Sequence, residues 1–92
     1  MQEMRAYVKG RVQMVMFRDF ATRGARSLGL CGTVQNLPDG RVKVVAQGER
    51  GKLEELLARL RKGSLLSHVE GIEVEWDEVP QTFTGFTIVY KN

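Results

Sequence analysis

The segment from Gly10 to Arg18 carries the residues best suited to chemistry. It reads Gly-Arg-Val-Gln-Met-Val-Met-Phe-Arg and joins an alternating stretch to a helical one. A chain that enters a helix presents backbone N–H groups without partners, and the helix dipole adds partial positive charge there. Arg18, in the predicted first turn, adds a planar guanidinium that suits phosphate oxygens. The loop from Gln13 to Phe17 and Arg18 together therefore predict an anion site.

An ordinary structural role is the alternative for the same segment. Met14, Val15, Met16 and Phe17 are apolar and could pack in the core at the end of a strand, with Arg18 on a solvated face. Methionine is also frequent at adaptable binding surfaces. The residues alone leave these interpretations open.

Asn36 is the second candidate for chemistry. It precedes Leu37-Pro38-Asp39-Gly40, a sequence typical of a tight turn. Asparagine is common at such positions for structural reasons. Without Arg18 as a partner, this structural role is the favoured interpretation of Asn36.

Two periodicities predict the elements that position these residues. Strands are predicted up to about Val12 and over residues 31–37, 41–48, 72–77 and 86–90. Helices are predicted over residues 17–28 and around Leu53–Leu60, and they end at Gly29 and Gly63. A loop containing His68 precedes the fourth strand. Glu54 and Glu55 early in the second helix, and Arg59, Arg61 and Lys62 late in it, are expected to complement its dipole. The order predicts an α+β fold, a ferredoxin-like α/β sandwich (βαββαβ) with a mostly antiparallel sheet and two helices on one face.

The motifs within these elements resemble those of the acylphosphatase family. The resemblance rests on Gly10-Arg11-Val12-Gln13, Val15, Phe17 and Arg18, on Leu28-Gly29-Leu30, Gly32, Val34 and Asn36, on Pro38-Asp39-Gly40, and on Phe86 and Ile88. It implies a small stand-alone acylphosphatase that hydrolyses acyl phosphates, which are carboxyl–phosphate anhydrides, without metal or cofactor. It also implies that the loop Gln13, Met14, Val15, Met16 and Phe17 binds the phosphoryl group with Arg18, and that Asn36 orients the water. Arg18 and Asn36 are then the catalytic residues.

The chain departs from the family pattern at Met14 and Met16. The family usually has glycine at position 14 and often at position 16. Glycine at position 14 can adopt a positive φ or approach the phosphate closely, so Met14 is expected to cost roughly 1–2 kcal/mol or to narrow the site. Position 16 is variable, and Met16 is expected to matter less.

Composition narrows the class of protein. A chain of 92 residues, 42% apolar and 27% charged, predicts one globular domain over residues 1–92. The single cysteine, Cys31, indicates a reducing, cytoplasmic location, and no apolar run resembles a signal peptide or a membrane span. The net charge of +3 favours anionic partners. The sequence has no second histidine, and His68 has no acidic cluster at metal-ligand spacing, so no metal site is predicted.

Other functions remain open at this point. One is a non-catalytic ferredoxin-like module that binds a phosphorylated ligand or a protein partner. An RNA-binding sheet is disfavoured because the strand from Arg41 to Ala46 lacks aromatic residues, and no nucleic acid is expected as a partner. Acylphosphatase-like domains also begin large carbamoyl-transferring maturation proteins of hydrogenases, but the chain is expected to be free-standing and monomeric. Inorganic phosphate is expected as product and inhibitor.

Overall fold

The computed structural model describes residues 1–90 of the chain. The strands are β1 (Gln2–Arg11), β2 (Cys31–Asn36), β3 (Val42–Gly48), β4 (His68–Glu78) and β5 (Phe86–Val89), and the helices are α1 (Phe17–Ser27) and α2 (Arg50–Lys62). In chain order they run β1, α1, β2, β3, α2, β4, β5. The predicted ferredoxin-like α+β fold is confirmed. The predicted domain limits of 1–92 include residues 91 and 92, which lie outside the described residues.

The five strands form one mixed sheet in the spatial order β4-β1-β3-β2-β5. Neighbouring strands are antiparallel except β2 and β5, which are parallel, with Gln35 opposite Val89. Because β1 and β2 are both antiparallel to β3, the strands β1, β2 and β5 all point the same way. The carboxyl ends of these three strands therefore lie at the same end of the sheet, together with the start of α1.

The hydrophobic core lies between the two helices and one face of the sheet. The strands contribute alternate residues to it: Met4, Ala6 and Val8 from β1, Val34 from β2, and Val42, Val44 and Ala46 from β3 are fully buried. The predicted apolar face of α2 is confirmed, since Leu53, Leu56, Leu57 and Leu60 are all buried. Full burial of each such leucine or valine contributes about 1.5–3 kcal/mol.

Strand β4 begins earlier than the sequence pattern predicted. It starts at His68, which is exposed and pairs with Arg11, so the predicted loop around His68 is partly wrong. The pairing register shifts between Lys9 and Gly10, where a β-bulge interrupts the alternation in β4. Gly10 has a φ of 131°, and a Cβ there would lie 2.1 Å from the carbonyl oxygen of His68. Only glycine fits at this position, where β1 and β4 approach closely.

The acidic residues of α2 do not lie where they would interact favourably with the helix dipole. The helix begins at Arg50 and has no acidic residue in its first turn, so that expectation is wrong. Glu54 and Glu55 instead pair with Arg50 and Arg59, each at 2.9 Å and one turn away. Exposed pairs of this kind contribute about 0.3–0.5 kcal/mol. The basic last turn was predicted correctly.

The outer strands of the sheet differ in length and charge. β5 has four residues, whereas β4 has 11 and forms the opposite edge. The exposed residues of β4 include five acids: Glu70, Glu73, Glu75, Asp77 and Glu78. Of the helices in residues 1–90, neither α1 nor α2 combines the length and the hydropathy that crossing a membrane requires.

Candidate active site

The loop of residues 12–16, called the β1–α1 loop, has an unusual backbone. Met14 has a φ of 60° and Met16 a φ of 61°, while Val15 between them is not in the positive-φ region. Alternation of left-handed and other residues is the backbone pattern in which successive N–H groups can form an anion-binding concavity. Each non-glycine residue in this left-handed conformation costs roughly 1–2 kcal/mol. Backbone strain of this kind clusters at functional sites.

The N–H groups of this segment have no acceptors within residues 1–90. The first hydrogen bond of α1 runs from the N–H of Phe20 to the carbonyl of Met16, at 3.0 Å. No side chain caps the helix start. The N–H groups of the residues from Met14 to Arg18, called the loop amides, thus lack partners in the described part of the chain. They lie at the positive end of the α1 dipole, which favours an anion.

Arg18 is the second residue of α1 and stacks on Tyr90. The guanidinium carbon of Arg18 lies 5.1 Å from the ring centroid of Tyr90, within cation–π range. None of the carboxylates in residues 1–90 forms a salt bridge with Arg18. The stacking limits the motion of the side chain, and its N–H groups remain available for an anion.

A cleft of about 270 Å³ lies in front of Arg18. It is lined by Val12, Met14, Met16, Phe17, Arg18, Asp19, Ile88 and Tyr90. The structure therefore brings four of the predicted site residues together here. Asp19, the acid in this lining, pairs with Arg23 at 2.9 Å, which offsets its repulsion of an anion. Gln13, Val15 and Asn36 do not line the cleft.

Gln13 faces the β2–β3 hairpin rather than the cleft. Its Nε2 donates hydrogen bonds to the carbonyl oxygens of Leu37 and Arg41, at 2.8 and 2.9 Å. The same two residues close the hairpin, since the N–H of Leu37 donates to the carbonyl of Arg41 at 2.8 Å. Leu37 directly follows Asn36. Gln13 therefore fixes the β1–α1 loop against the strand that carries Asn36.

Asn36 is the last residue of β2 and lies on the helix-covered face of the sheet. It shares this face with Val34, two residues earlier, which is fully buried. Gln35 and Val89 form the last pair of the parallel ladder, and Asn36 and Tyr90 each follow directly after it in the chain. The Oδ1 atom of Asn36 is buried and has no hydrogen-bond partner within residues 1–90. Arg18 and Asn36 thus approach the same end of β5.

The methionines of the loop are not core residues. Met14 is 96% exposed and Met16 is 72% exposed, so the alternative that both pack in the core is wrong. Of Met14, Val15, Met16 and Phe17, only Phe17 is fully buried, and Val15 packs partly against the core. The expected positive φ at position 14 is confirmed. The expectation that position 16 would matter less is wrong for the backbone, because Met16 has the same left-handed conformation.

Tyr90 is a site residue that the sequence did not reveal. The alternation of Phe86, Ile88 and Tyr90 places its side chain on the helix-covered face. Its contact with Arg18 depends on the parallel pairing of β5 with β2, a long-range property with no local sequence signal. No three His, Cys, Asp or Glu side chains in residues 1–90 are grouped closely enough to hold a metal ion.

Comparison with known proteins identifies the family. The Acylphosphatase family model matches residues 4–88. The chain belongs to the acylphosphatase family. The acylphosphatase of Methanococcoides burtonii is 60% identical over 82 residues, which cover 89% of this chain and 85% of that protein. The acylphosphatase of Thermus thermophilus is 53% identical over 73 residues, which cover 79% and 83% of the two chains.

A crystal structure of an acylphosphatase has the same fold. The enzyme from Bacillus subtilis superposes with a TM-score of 0.94 at 37% sequence identity, over 98% of this chain and 100% of that one. Acylphosphatases hydrolyse acyl phosphates. The chain is accordingly a hydrolase whose substrate is a small-molecule acyl phosphate.

Proposed function

We propose that this acylphosphatase binds the phosphoryl group between the loop amides and Arg18, and that Asn36 positions the attacking water. One observation carries the proposal: the loop amides have no acceptors in the described residues, and left-handed Met14 and Met16 give the loop the alternating backbone of an anion-binding concavity. The guanidinium of Arg18 adds full positive charge and two parallel donors for phosphate oxygens. Substrate oxygens then satisfy donors that the fold leaves unpaired.

Acyl-phosphate hydrolysis requires positioning and charge stabilisation more than acid catalysis. The water oxygen attacks phosphorus in line with the bridging oxygen, and the bond between phosphorus and that oxygen breaks. The electron pair of the broken bond leaves on the carboxylate oxygen. The conjugate acid of this leaving group has a pKa of about 4, so the carboxylate can leave without an added proton. Both protons of the water stay with the phosphoryl group, so the dianionic substrate gives a carboxylate and dihydrogen phosphate. The loop amides and Arg18 stabilise charge on the equatorial oxygens.

The buried oxygen of Asn36 supports its proposed role. An Oδ1 atom without a partner in the described residues costs about 1–3 kcal/mol, unless another group donates to it. The attacking water can donate one O–H to this oxygen and direct a lone pair toward phosphorus. Asn36 thus supplies orientation rather than charge, which matches its neutral side chain.

The remaining features of the proposal concern cofactors, partners and location. We propose that neither metal nor cofactor is needed, because Arg18 and the loop amides supply the positive charge. Inorganic phosphate, the product, competes for the same loop. The enzyme acts as a monomer in the cytoplasm, where the single cysteine, Cys31, stays reduced. Neither nucleic acid nor a membrane is a proposed partner.

Benzoyl phosphate hydrolysis in excess chelator tests the proposal. The parent protein should remain active, and Arg18→Ala and Asn36→Ala should each lose about 100-fold or more in kcat/KM. Lys52→Ala is the control for the loss of one positive charge, because Lys52 is exposed on α2 and does not line the cleft. It should keep near-parental activity. Loss of activity on chelation that Mg²⁺ restores, or retention of activity by both site variants, would contradict the proposal.

A further inference from the structure

A second, apolar groove lies beside the cleft. Its volume is about 360 Å³, and it lies between Val15, Met16 and Phe20 on one side and Gly63, Leu65 and Leu66 on the other. The first side comes from the β1–α1 loop and α1, and the second from the segment between α2 and β4. The groove therefore borders the segment that holds the loop amides.

Exposed apolar side chains are concentrated in this region. Leu65 is 98% exposed and Leu66 is 64% exposed. The exposed large apolar residues within residues 1–90 are Met1, Met14, Met16, Leu65, Leu66 and Tyr90. All except Met1 line the cleft or the groove. Such a cluster on a small protein marks a binding surface rather than random exposure.

Met16 connects the groove to the cleft. Its side chain lines both of them, with Arg18 in the cleft and Leu65 in the groove. An acyl phosphate bound at the loop amides extends from phosphorus through its bridging oxygen to the acyl carbon. The organic part must therefore lie within a few atoms of Met16, and the groove is the apolar surface that continues from there.

We infer that the groove holds the organic part of the substrate, and that the enzyme prefers acyl phosphates with an apolar acyl group, aromatic or branched, over acetyl phosphate. This inference rests on the proposed phosphoryl site at the loop amides. The groove volume is at the low end of the range of about 300–1,000 Å³ for small-molecule pockets, so it suits one small organic group. Arg23 at its rim is paired with Asp19, so the lining offers no unpaired charge to a polar acyl group.

Comparison of benzoyl phosphate with acetyl phosphate tests this inference. We expect kcat/KM to favour benzoyl phosphate by about 10- to 100-fold, as apolar pockets discriminate. The double variant Leu65→Ser/Leu66→Ser should lower this ratio about 10-fold, because benzoyl phosphate loses apolar contacts that the small acetyl group makes to a lesser extent. Leu65→Met/Leu66→Met is the matched control and should keep the ratio. Because the intrinsic reactivities cancel when variant and parent are compared, the change in ratio reports contacts in the groove.

Binding of stable analogues separates this inference from the proposed function. Phenacylphosphonate and acetonylphosphonate replace the bridging oxygens of benzoyl and acetyl phosphate by methylene groups. Their Kd values, measured by calorimetry, should show the same preference in the parent and its loss in the Leu→Ser double variant. If both substrates are hydrolysed and the double variant does not change the ratio of their kcat/KM values, the inference is overturned. The proposed function then stays intact. If neither substrate is hydrolysed, the proposed function fails, and equal Kd values for the two analogues overturn the groove independently.

Discussion

Gln13 and Leu37 join two parts of the site that are 24 residues apart in the chain: Nε2 of Gln13 lies 2.8 Å from the carbonyl oxygen of Leu37. The bond is side chain to backbone and partly buried. It connects the loop proposed to bind phosphate with the residue that follows Asn36. One amide side chain thereby links the loop proposed to bind phosphate to the strand that carries the residue proposed to hold the water.

Gln13→Glu should reduce kcat about 10-fold or more, because a carboxylate of nearly the same shape cannot donate to the carbonyls of Leu37 and Arg41. The variant loses two hydrogen bonds, each of which contributes about 0.5–1.5 kcal/mol to stability. Steady-state kinetics and urea unfolding measure the two effects. Inhibition by inorganic phosphate should change less than kcat, because the loop amides are retained. A fall in stability without a fall in kcat would mean that Gln13 is structural only.

Arg18→Lys should lower kcat/KM for an acyl phosphate by about 10²–10³-fold with little change in melting temperature. Lysine keeps the charge but loses the two parallel donors that fit phosphate. Arg23→Lys, on the exposed side of the same helix, should behave like the parent. Near-parental turnover by Arg18→Lys would show that charge alone suffices at this position.

Asn36→Ala should reduce kcat about 100-fold while inorganic phosphate inhibits the variant as strongly as the parent. Its unfolding free energy should not fall by more than about 0.5 kcal/mol, since the change removes a buried oxygen that lacks a partner in the described residues. Asn36→Asp is the comparison: its negative charge should weaken phosphate inhibition as well. Markedly weaker phosphate inhibition of Asn36→Ala would make Asn36 an anion ligand instead.

Met14→Gly should leave the unfolding free energy unchanged or raise it by up to about 1 kcal/mol, because glycine adopts a φ of 60° without strain. Turnover should be equal or higher. Val15→Gly is the control within the same loop: Val15 lacks a positive φ and packs partly on the core, so its replacement should destabilise the protein by about 1 kcal/mol or more. Equal destabilisation by both changes would show that Met14 is not strained.

Asp39 in the hairpin turn gives a prediction on pH. The backbone N–H of Arg41, at 3.0 Å, and then its guanidinium hold the pKa of Asp39 below the ordinary aspartate value. Because the pKa is lower in the folded state, ionised Asp39 stabilises the fold above about pH 4, and this contribution is lost as the pH falls through the folded pKa. Asp39→Asn should therefore be less stable than the parent near pH 7, and this difference should disappear as the pH falls through the folded pKa of Asp39. A stability difference that does not change with pH would exclude this carboxylate as the cause.

The sequence predicted the parts of the structure that depend on local pattern. Alternation of Met4, Ala6 and Val8 identified the buried face of β1, and the leucine spacing from Leu53 to Leu60 identified that of α2. These patterns follow from the geometry of strands and helices. The positions of Arg18 at the start of α1 and of Asn36 at the end of β2 were also predicted correctly. Their proposed roles stay predictions.

Features that depend on distant contacts could not be predicted in the same way. The early start of β4 at His68 depends on a bulge opposite Gly10, which interrupts the two-residue period. The side-chain bonds of Gln13 depend on where the β2–β3 hairpin lies in space. The left-handed backbone of Met16 has no signal in its residue type, because methionine does not favour positive φ. In each case the surrounding fold determines the conformation, and local preference does not.

The acidic edge of the sheet affects how copies of this chain meet one another. β4 is an 11-residue edge strand, and such an edge offers unpaired backbone groups on which another chain can add a strand. Glu70, Glu73 and Asp77 are among the five exposed acids along it. Two such edges repel each other at neutral pH, and protonation in acid removes that repulsion. The exposed carboxylates of β4 are therefore expected to oppose edge-to-edge aggregation at neutral pH and to lose this effect at low pH.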